Sequence, residues 1–252
     1  MTSARFPDCL RLDGRTLAIV GATTPIGRAT AALASARGVE RLVLLDDNQA
    51  QLRSLAHGLG GNAWWRAVDV SCRAAVADVM TKAFRVDLVV TIGPEPAWTR
   101  FADLGLEEWS ATLAAHVKRV YAAASVFLPE MLERGHGRMV NVVSIQGKRP
   151  RLADGSAAYA GAGAAINGLT KVLAREVATV GVCVNAVNHG FIGDGAGSQS
   201  PQADLVDPRV GPALGRAGTP AEVAEPILFL LSDASGYITG ESINVDGGAL
   251  TE

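Results

Sequence analysis

The sequence predicts an α/β fold: a single-domain, Rossmann-type doubly wound parallel sheet with helices on both faces. Three observations carry this expectation. Short apolar bursts alternate with helical patterns along the chain, and strands separated by helices pair in parallel through right-handed crossovers. The first burst runs directly into a glycine-bearing turn that opens a helix. The length of 252 residues, with 48% hydrophobic residues and 28 glycines, suits one tightly packed α/β domain over 1–252.

In chain order, the apolar bursts place strands at 16–20, 42–45, 64–68, 88–92, 139–143, 182–187 and 242–245. Helical patterns fill the intervals at 26–37, 48–58, 73–84, 106–133, 157–180 and 220–231. The stretch 193–218 is rich in Gly, Pro, Ser and Asp and fits neither period. It reads as a long surface excursion, and loops of that length usually carry function.

Composition narrows the function. A net charge of −2 leaves no electrostatic footprint for nucleic acid or an anionic membrane. Cys9, Cys72 and Cys183 are odd in number and widely spaced, so they make neither a disulfide framework nor a metal box. The histidines at 57, 116, 136 and 189 lack metal-ligand spacing. Residues 1–15 contain no apolar signal core, and no apolar run reaches about 18 residues. A cytoplasmic protein with no membrane and no nucleic-acid partner is expected.

Two segments bear on chemistry. The run Val20-Gly21-Ala-Thr-Thr-Pro25-Ile-Gly27 follows the first strand and opens a helix, which is the setting of a phosphate-cradling turn. Pro25 stands in the middle of it, with no N–H and a ring where a glycine would leave space. Proline also suits a first helical turn, so a purely structural turn is the competing reading. Asp46 ends the second strand, where an acid accepts hydrogen bonds from an adenosine ribose and favours NAD. Asp69 ends the third strand, where it would sit beside an adenine; both acids serve equally as strand-end caps.

The second segment is Ser156-Ala-Ala-Tyr159-Ala-Gly-Ala-Gly163, at the start of a helix of small residues. A free tyrosine has a pKa of about 10 and is roughly 0.1% phenolate at pH 7. A cation one helical turn later would share its face, but Gly163 stands there.

As a set, these segments resemble the short-chain dehydrogenase/reductase family along nearly the whole chain. The resemblance is carried by the turn at Gly21–Gly27, Asp69, Trp109 followed by His116, and Gly137-Arg-Met-Val-Asn141-Val-Val-Ser144. It continues through Tyr159, Val184-Asn185-Ala-Val-Asn-His189-Gly190, Gly215-Arg216-Ala-Gly-Thr-Pro220 and Tyr237-Ile-Thr-Gly240-Glu-Ser-Ile-Asn-Val-Asp246-Gly247-Gly248. It implies hydride transfer between a nicotinamide and a carbinol or carbonyl carbon, with Tyr159 as acid/base and Ser144 polarising the substrate oxygen. It also implies Gly21, Gly27, Asp46 and Asp69 as nucleotide contacts.

The departures from the family pattern cluster on the nucleotide. Gly163 takes the lysine position, His116 the asparagine position, His189 the place of a proline, and Asp194 that of a carboxamide-holding threonine. A lost charge-assisted hydrogen bond costs roughly 1.5–3 kcal/mol, so two or three losses move a micromolar dissociation constant to millimolar. We therefore expect a chain that binds no cofactor itself and pairs with a homologous active subunit holding NAD, in a heterotetramer. The pattern of losses is similar to that of the heterotetrameric dehydrogenase of anaerobic toluene breakdown. There a family member with degraded motifs accompanies an active subunit acting on a hydroxybenzylsuccinyl-CoA thioester. The helices over 106–133 and 157–180 are expected to pack against a neighbouring subunit.

Two alternatives stay open. One is an active divergent NAD-dependent alcohol dehydrogenase or ketoreductase using Ser144 and Tyr159. The other is a cofactor-free lyase or hydrolase using His116, Ser144 and Tyr159. Lys148, Arg149 and Arg151 follow Ser144 and are read as a solvated loop, or as a basic lip for the phosphates of a coenzyme A thioester.

Overall fold

The computed structural model describes residues 8–80, 85–95, 98–148, 157–193 and 211–250. Seven parallel strands form one sheet in the order β3-β2-β1-β4-β5-β6-β7. They are β1 (Thr16–Val20), β2 (Arg41–Asp46), β3 (Ala63–Ala67), β4 (Leu88–Ile92), β5 (Gly137–Ser144), β6 (Val182–His189) and β7 (Ser242–Val245). The helices are α1 (Pro25–Ala36), α2 (Gln49–Leu59), α3 (Arg73–Met80), α4 (Leu106–Leu113), α5 (Arg119–Arg134), α6 (Ala157–Val177) and α7 (Pro220–Leu231).

The apolar strands are continuous rather than alternating because both faces of the sheet are covered. Leu17, Ile19, Leu42, Leu44, Val90 and Val142 join one core with residues of α1, α2 and α7. Their neighbours Ala18, Val20, Val43, Leu45, Val89 and Val143 point the other way and pack with α3, α5 and α6. Trp65 and Trp64 of β3 divide between the same two cores.

The predicted strands are all present, with β5 and β6 each running on to the residue that matters chemically, Ser144 and His189. The expected helix over 106–133 is corrected: α4 and α5 are separated by a π-helical segment, Ala114–Lys118. The last helix turn over 178–180 is 3-10 rather than α. Positions 81–84 of the third predicted helix lie outside the described residues, as does 194–210 of the predicted excursion.

Two buried polar ladders fix α6 to the sheet. Thr91 Oγ1 donates to Asn141 Oδ1 (2.8 Å), and Asn141 Nδ2 donates to Thr170 Oγ1 (2.9 Å). Asn167 Nδ2 donates to Asn188 Oδ1 (2.9 Å), while Ser242 Oγ donates to Asn167 Oδ1 (2.9 Å). Buried polar groups are costly unless paired, so these ladders specify the register in which α6 lies on the sheet.

Candidate active site

The described candidate residues gather along one edge, the carboxyl ends of the strands. Ligands in open α/β sheets bind there, in the crevice where strand order reverses. In this sheet that point lies between β1 and β4.

The turn after β1 is tightly closed on itself. A Cβ on Gly27 would lie 2.4 Å from Gly21 O, so only glycine fits. Thr24 caps α1, accepting from Gly27 N (3.0 Å), and Pro25 occupies the first turn. Thr23 N and Thr23 Oγ1 both donate to Asp46 Oδ2, at 2.9 and 2.6 Å, and Asp47 N donates to Asp46 Oδ1 (3.0 Å). Asp46 is buried. The acid expected to receive a ribose is therefore engaged by its own turn. Asp46→Ala should lower stability by about 3 kcal/mol, since three hydrogen bonds to a carboxylate are lost. A urea unfolding midpoint checks this, with Asp46→Asn falling between the two.

Asp69 behaves as a local cap. Its Oδ1 accepts from Ser71 N (2.9 Å) and Ser71 Oγ (2.7 Å), and these bonds hold its carboxyl below the usual range.

At the other end of the crevice, Ser144, Tyr159, His189 and His116 converge. Ser144 Oγ accepts from Gln146 N (3.2 Å) and lies beside the Tyr159 hydroxyl. Burial pushes the Tyr159 hydroxyl well above its ordinary value, the negative Glu95 adds to this, and Ser144 opposes it only partly. Among the described residues no cation is bonded to the phenol. His189 Nδ1 lies 2.9 Å from Gly190 O, an acceptor, so Nδ1 carries the proton and Nε2 faces Tyr159 Oη at 3.5 Å. The His116 ring sits 5.1 Å from that of Tyr159, and Trp98 meets Tyr159 edge-on at 6.3 Å. The π segment carries His116 onto Gly93, where a Cβ would lie 2.1 Å from His116 Nδ1. Burial lowers the His116 pKa to about 4, with Arg119 and His189 adding to the effect, and burial lowers His189 as well.

Gly163, one turn after Tyr159, is buried against the loop that follows Ser144. A Cβ there would lie 3.2 Å from Gly147 Cα and 3.3 Å from Gly147 N.

A family model described as enoyl-(acyl carrier protein) reductase matches residues 21–250. The chain belongs to the short-chain dehydrogenase/reductase family. It is similar to the 3-oxoacyl-[acyl-carrier-protein] reductase FabG of Thermotoga maritima, at 32% identity over 95% of this chain and 99% of that one. Among solved structures it is similar to a 3-oxoacyl-[acyl-carrier protein] reductase with bound NAD from Brucella melitensis. The TM-score is 0.85 and the identity 29%, covering 97% of this chain and 96% of that one. It is also similar to an apo short-chain oxidoreductase from Pseudomonas aeruginosa PAO1 containing an atypical catalytic centre. There the TM-score is 0.86 and the identity 25%, covering 96% and 99% of the two chains.

At the positions where the resemblance expects a dinucleotide, this short-chain dehydrogenase/reductase presents other contacts. Asp46 has its oxygens committed to Thr23 and Asp47, Gly163 leaves no cation beside Tyr159, and the crevice between β1 and β4 is entered by Arg119. The sequence reading missed Arg119. Its signal was spacing: three residues after His116, it shares a helical face with His116, Val120, Ala123 and Phe127, all buried.

Lys148 is exposed, as the solvated-loop reading expects, yet anchored. Its Nζ donates to Ser242 O (2.7 Å) and Asn244 Oδ1 (2.8 Å), tying the loop to β7. Arg149, Arg151 and Asp194 lie outside the described residues. Among the described residues no group of three or more His, Cys, Asp or Glu is placed to hold a metal ion, and no helix is long and apolar enough to cross a membrane.

Proposed function

We propose that this chain is a non-catalytic member of the family that pairs with an active homologous dehydrogenase in a hetero-oligomer. A heterotetramer is the form we favour. NAD is held by the partner subunit and not by this chain, and the reaction is oxidation or reduction of a hydroxyacyl or ketoacyl thioester. The observation that carries the reading is the seam between Gly163 and Gly147, which leaves Tyr159 neutral and without a cation. The acyl-carrier relatives support the thioester class. A coenzyme A thioester of the aromatic succinyl type is the finer form of the same proposal, and the pattern of motif losses is what favours it.

Assembly is supported by the outer faces of α5 and α6. Tyr121 and Val172 are exposed, with Ala164, Ala165 and Gly168 on the same side of α6 as Val172. Such small residues let helices approach to about 8–10 Å.

The test is made on the complex purified from its native host. Tyr159→Phe in this chain should leave activity within about twofold, whereas the matching change in the partner should abolish it. A homo-oligomer with no homologous companion, or hydride transfer by this chain alone, would overturn the reading.

A second reading rests on His189, whose Nε2 is held facing Tyr159. A neutral imidazole beside a phenol and Ser144 is a cofactor-free acid/base set. It requires turnover of an ester or hydroxyacyl thioester without nucleotide, lost in Ser144→Ala.

A further inference from the structure

Arg119 opens α5 and is only 6% exposed, an unusual place for a guanidinium. Its Nη1 donates to Ile92 O (2.5 Å) at the end of β4. The same atom lies 2.8 Å from where a Cβ on Gly21 would stand, at the end of β1. The guanidinium therefore spans the carboxyl ends of the two strands between which the sheet order reverses. Its Nε is buried and has no hydrogen-bond partner among the described residues.

The charge there is balanced from the nucleotide-binding side of the sheet. Burial pulls the guanidinium pKa down, and the carboxylates of Asp46, Asp47 and Asp69 oppose that pull. Asp46 and Asp69 are the acids that would otherwise face an adenosine. Gly21 lacks a side chain at the point where Arg119 needs room, so the close approach a phosphate would exploit is used by the protein itself.

We propose that Arg119 is a built-in occupant of the dinucleotide crevice, a side chain lodged between Gly21 and Ile92 that excludes the adenosine–phosphate half of NAD or NADP. This rests on the reading of the chain as one that holds no nucleotide, and it names the residue that enforces that state. The other departures act elsewhere. Gly163 and His189 lie at the opposite end of the crevice, beside Tyr159. Pro25 removes one N–H from the turn but does not fill the space between the strands.

ADP-ribose, which lacks the nicotinamide, isolates the crevice from losses at the Tyr159 end. Calorimetric titration of the full chain with ADP-ribose, NAD and NADP should give dissociation constants above about 1 mM for the wild type. Arg119→Ser should bind ADP-ribose at least about tenfold more tightly. Arg119→Gln, which keeps a donor for Ile92 O but is shorter and uncharged, should gain in the same direction and serves if the serine variant does not fold. Circular dichroism establishes that each variant is folded. Arg119→Lys, whose ammonium still reaches the crevice, should remain a non-binder. Folded variants with no gain for ADP-ribose overturn the role of Arg119 and leave the subunit reading standing. Sub-millimolar binding of ADP-ribose by the wild type overturns the role of Arg119 outright. Absence of a homologous companion in the native host overturns the subunit reading and leaves Arg119 untouched. Gained ADP-ribose binding without hydride transfer is the result expected.

Discussion

Gly147→Ala is expected to destabilise the fold by about 3 kcal/mol or more, and Gly163→Lys to leave the chain without dehydrogenase activity. Both follow from one seam. A Cβ on Gly147 would stand 2.5 Å from Gly163 C and 2.6 Å from Ala164 N, which are backbone atoms of α6. That helix is held by the Asn141–Thr170 and Asn167–Asn188 ladders, so it cannot retreat to relieve the clash. In the reverse direction, a Cβ on Gly163 meets Gly147 at 3.2 and 3.3 Å, a contact that needs only a small shift. Gly163→Lys should therefore fold, with a lowered unfolding midpoint, yet place its stem against the 145–147 loop. If Arg119 occupies the dinucleotide crevice as proposed, restoring the missing cation should not restore chemistry. The check is urea unfolding for both variants, with NAD reduction on a hydroxyacyl thioester for Gly163→Lys. Measurable turnover by the lone lysine variant would contradict the account.

The protein should also lose stability as the pH falls from about 6.5 toward 4. The folded pKa of His116 is about 4, below its ordinary value of 6.5, and burial is the largest cause. The unfolded chain binds the proton more readily over that interval, so stability rises with pH within it and is complete above it. The shift from 6.5 to about 4 corresponds to up to about 3 kcal/mol for this single buried group. His189, also lowered by burial, acts in the same direction. Unfolding midpoints measured at pH 7.5 and pH 4.5 should differ accordingly. His116→Gln should flatten the slope, while His57, exposed at the end of α2, should not affect it when changed to Gln.

The relation between sequence and site can be followed residue by residue. Tyr159 lies in the first turn of α6, where helical periodicity placed it, and Ser144 closes β5 one residue past the predicted strand. The extension of β6 to His189 was not visible, because the apolar run stops at Val187 and the polar pair Asn188–His189 looks like a loop. It continues as strand because Asn188 finds a partner in Asn167. The π segment was likewise invisible: its sequence, AAHVK, has ordinary helical composition, and only packing against Gly93 reveals the altered phase. Asp46 could be read as ribose acceptor or as cap, and the bonds it accepts from Thr23, 23 residues away, could not be read from the sequence.

By itself the sequence determined the α/β class, the doubly wound parallel sheet, the family, and the absence of a lysine one turn after Tyr159. These depend on local pattern and residue identity, which a chain carries without its folded neighbours. The tertiary structure decided what fills the places left by the departures. Arg119 crosses from α5 into the gap between β1 and β4, Gly147 closes on Gly163, and His189 and Trp98 surround Tyr159. Each joins residues distant in sequence, and where a long side chain finally rests depends on the space and charge that other elements leave for it.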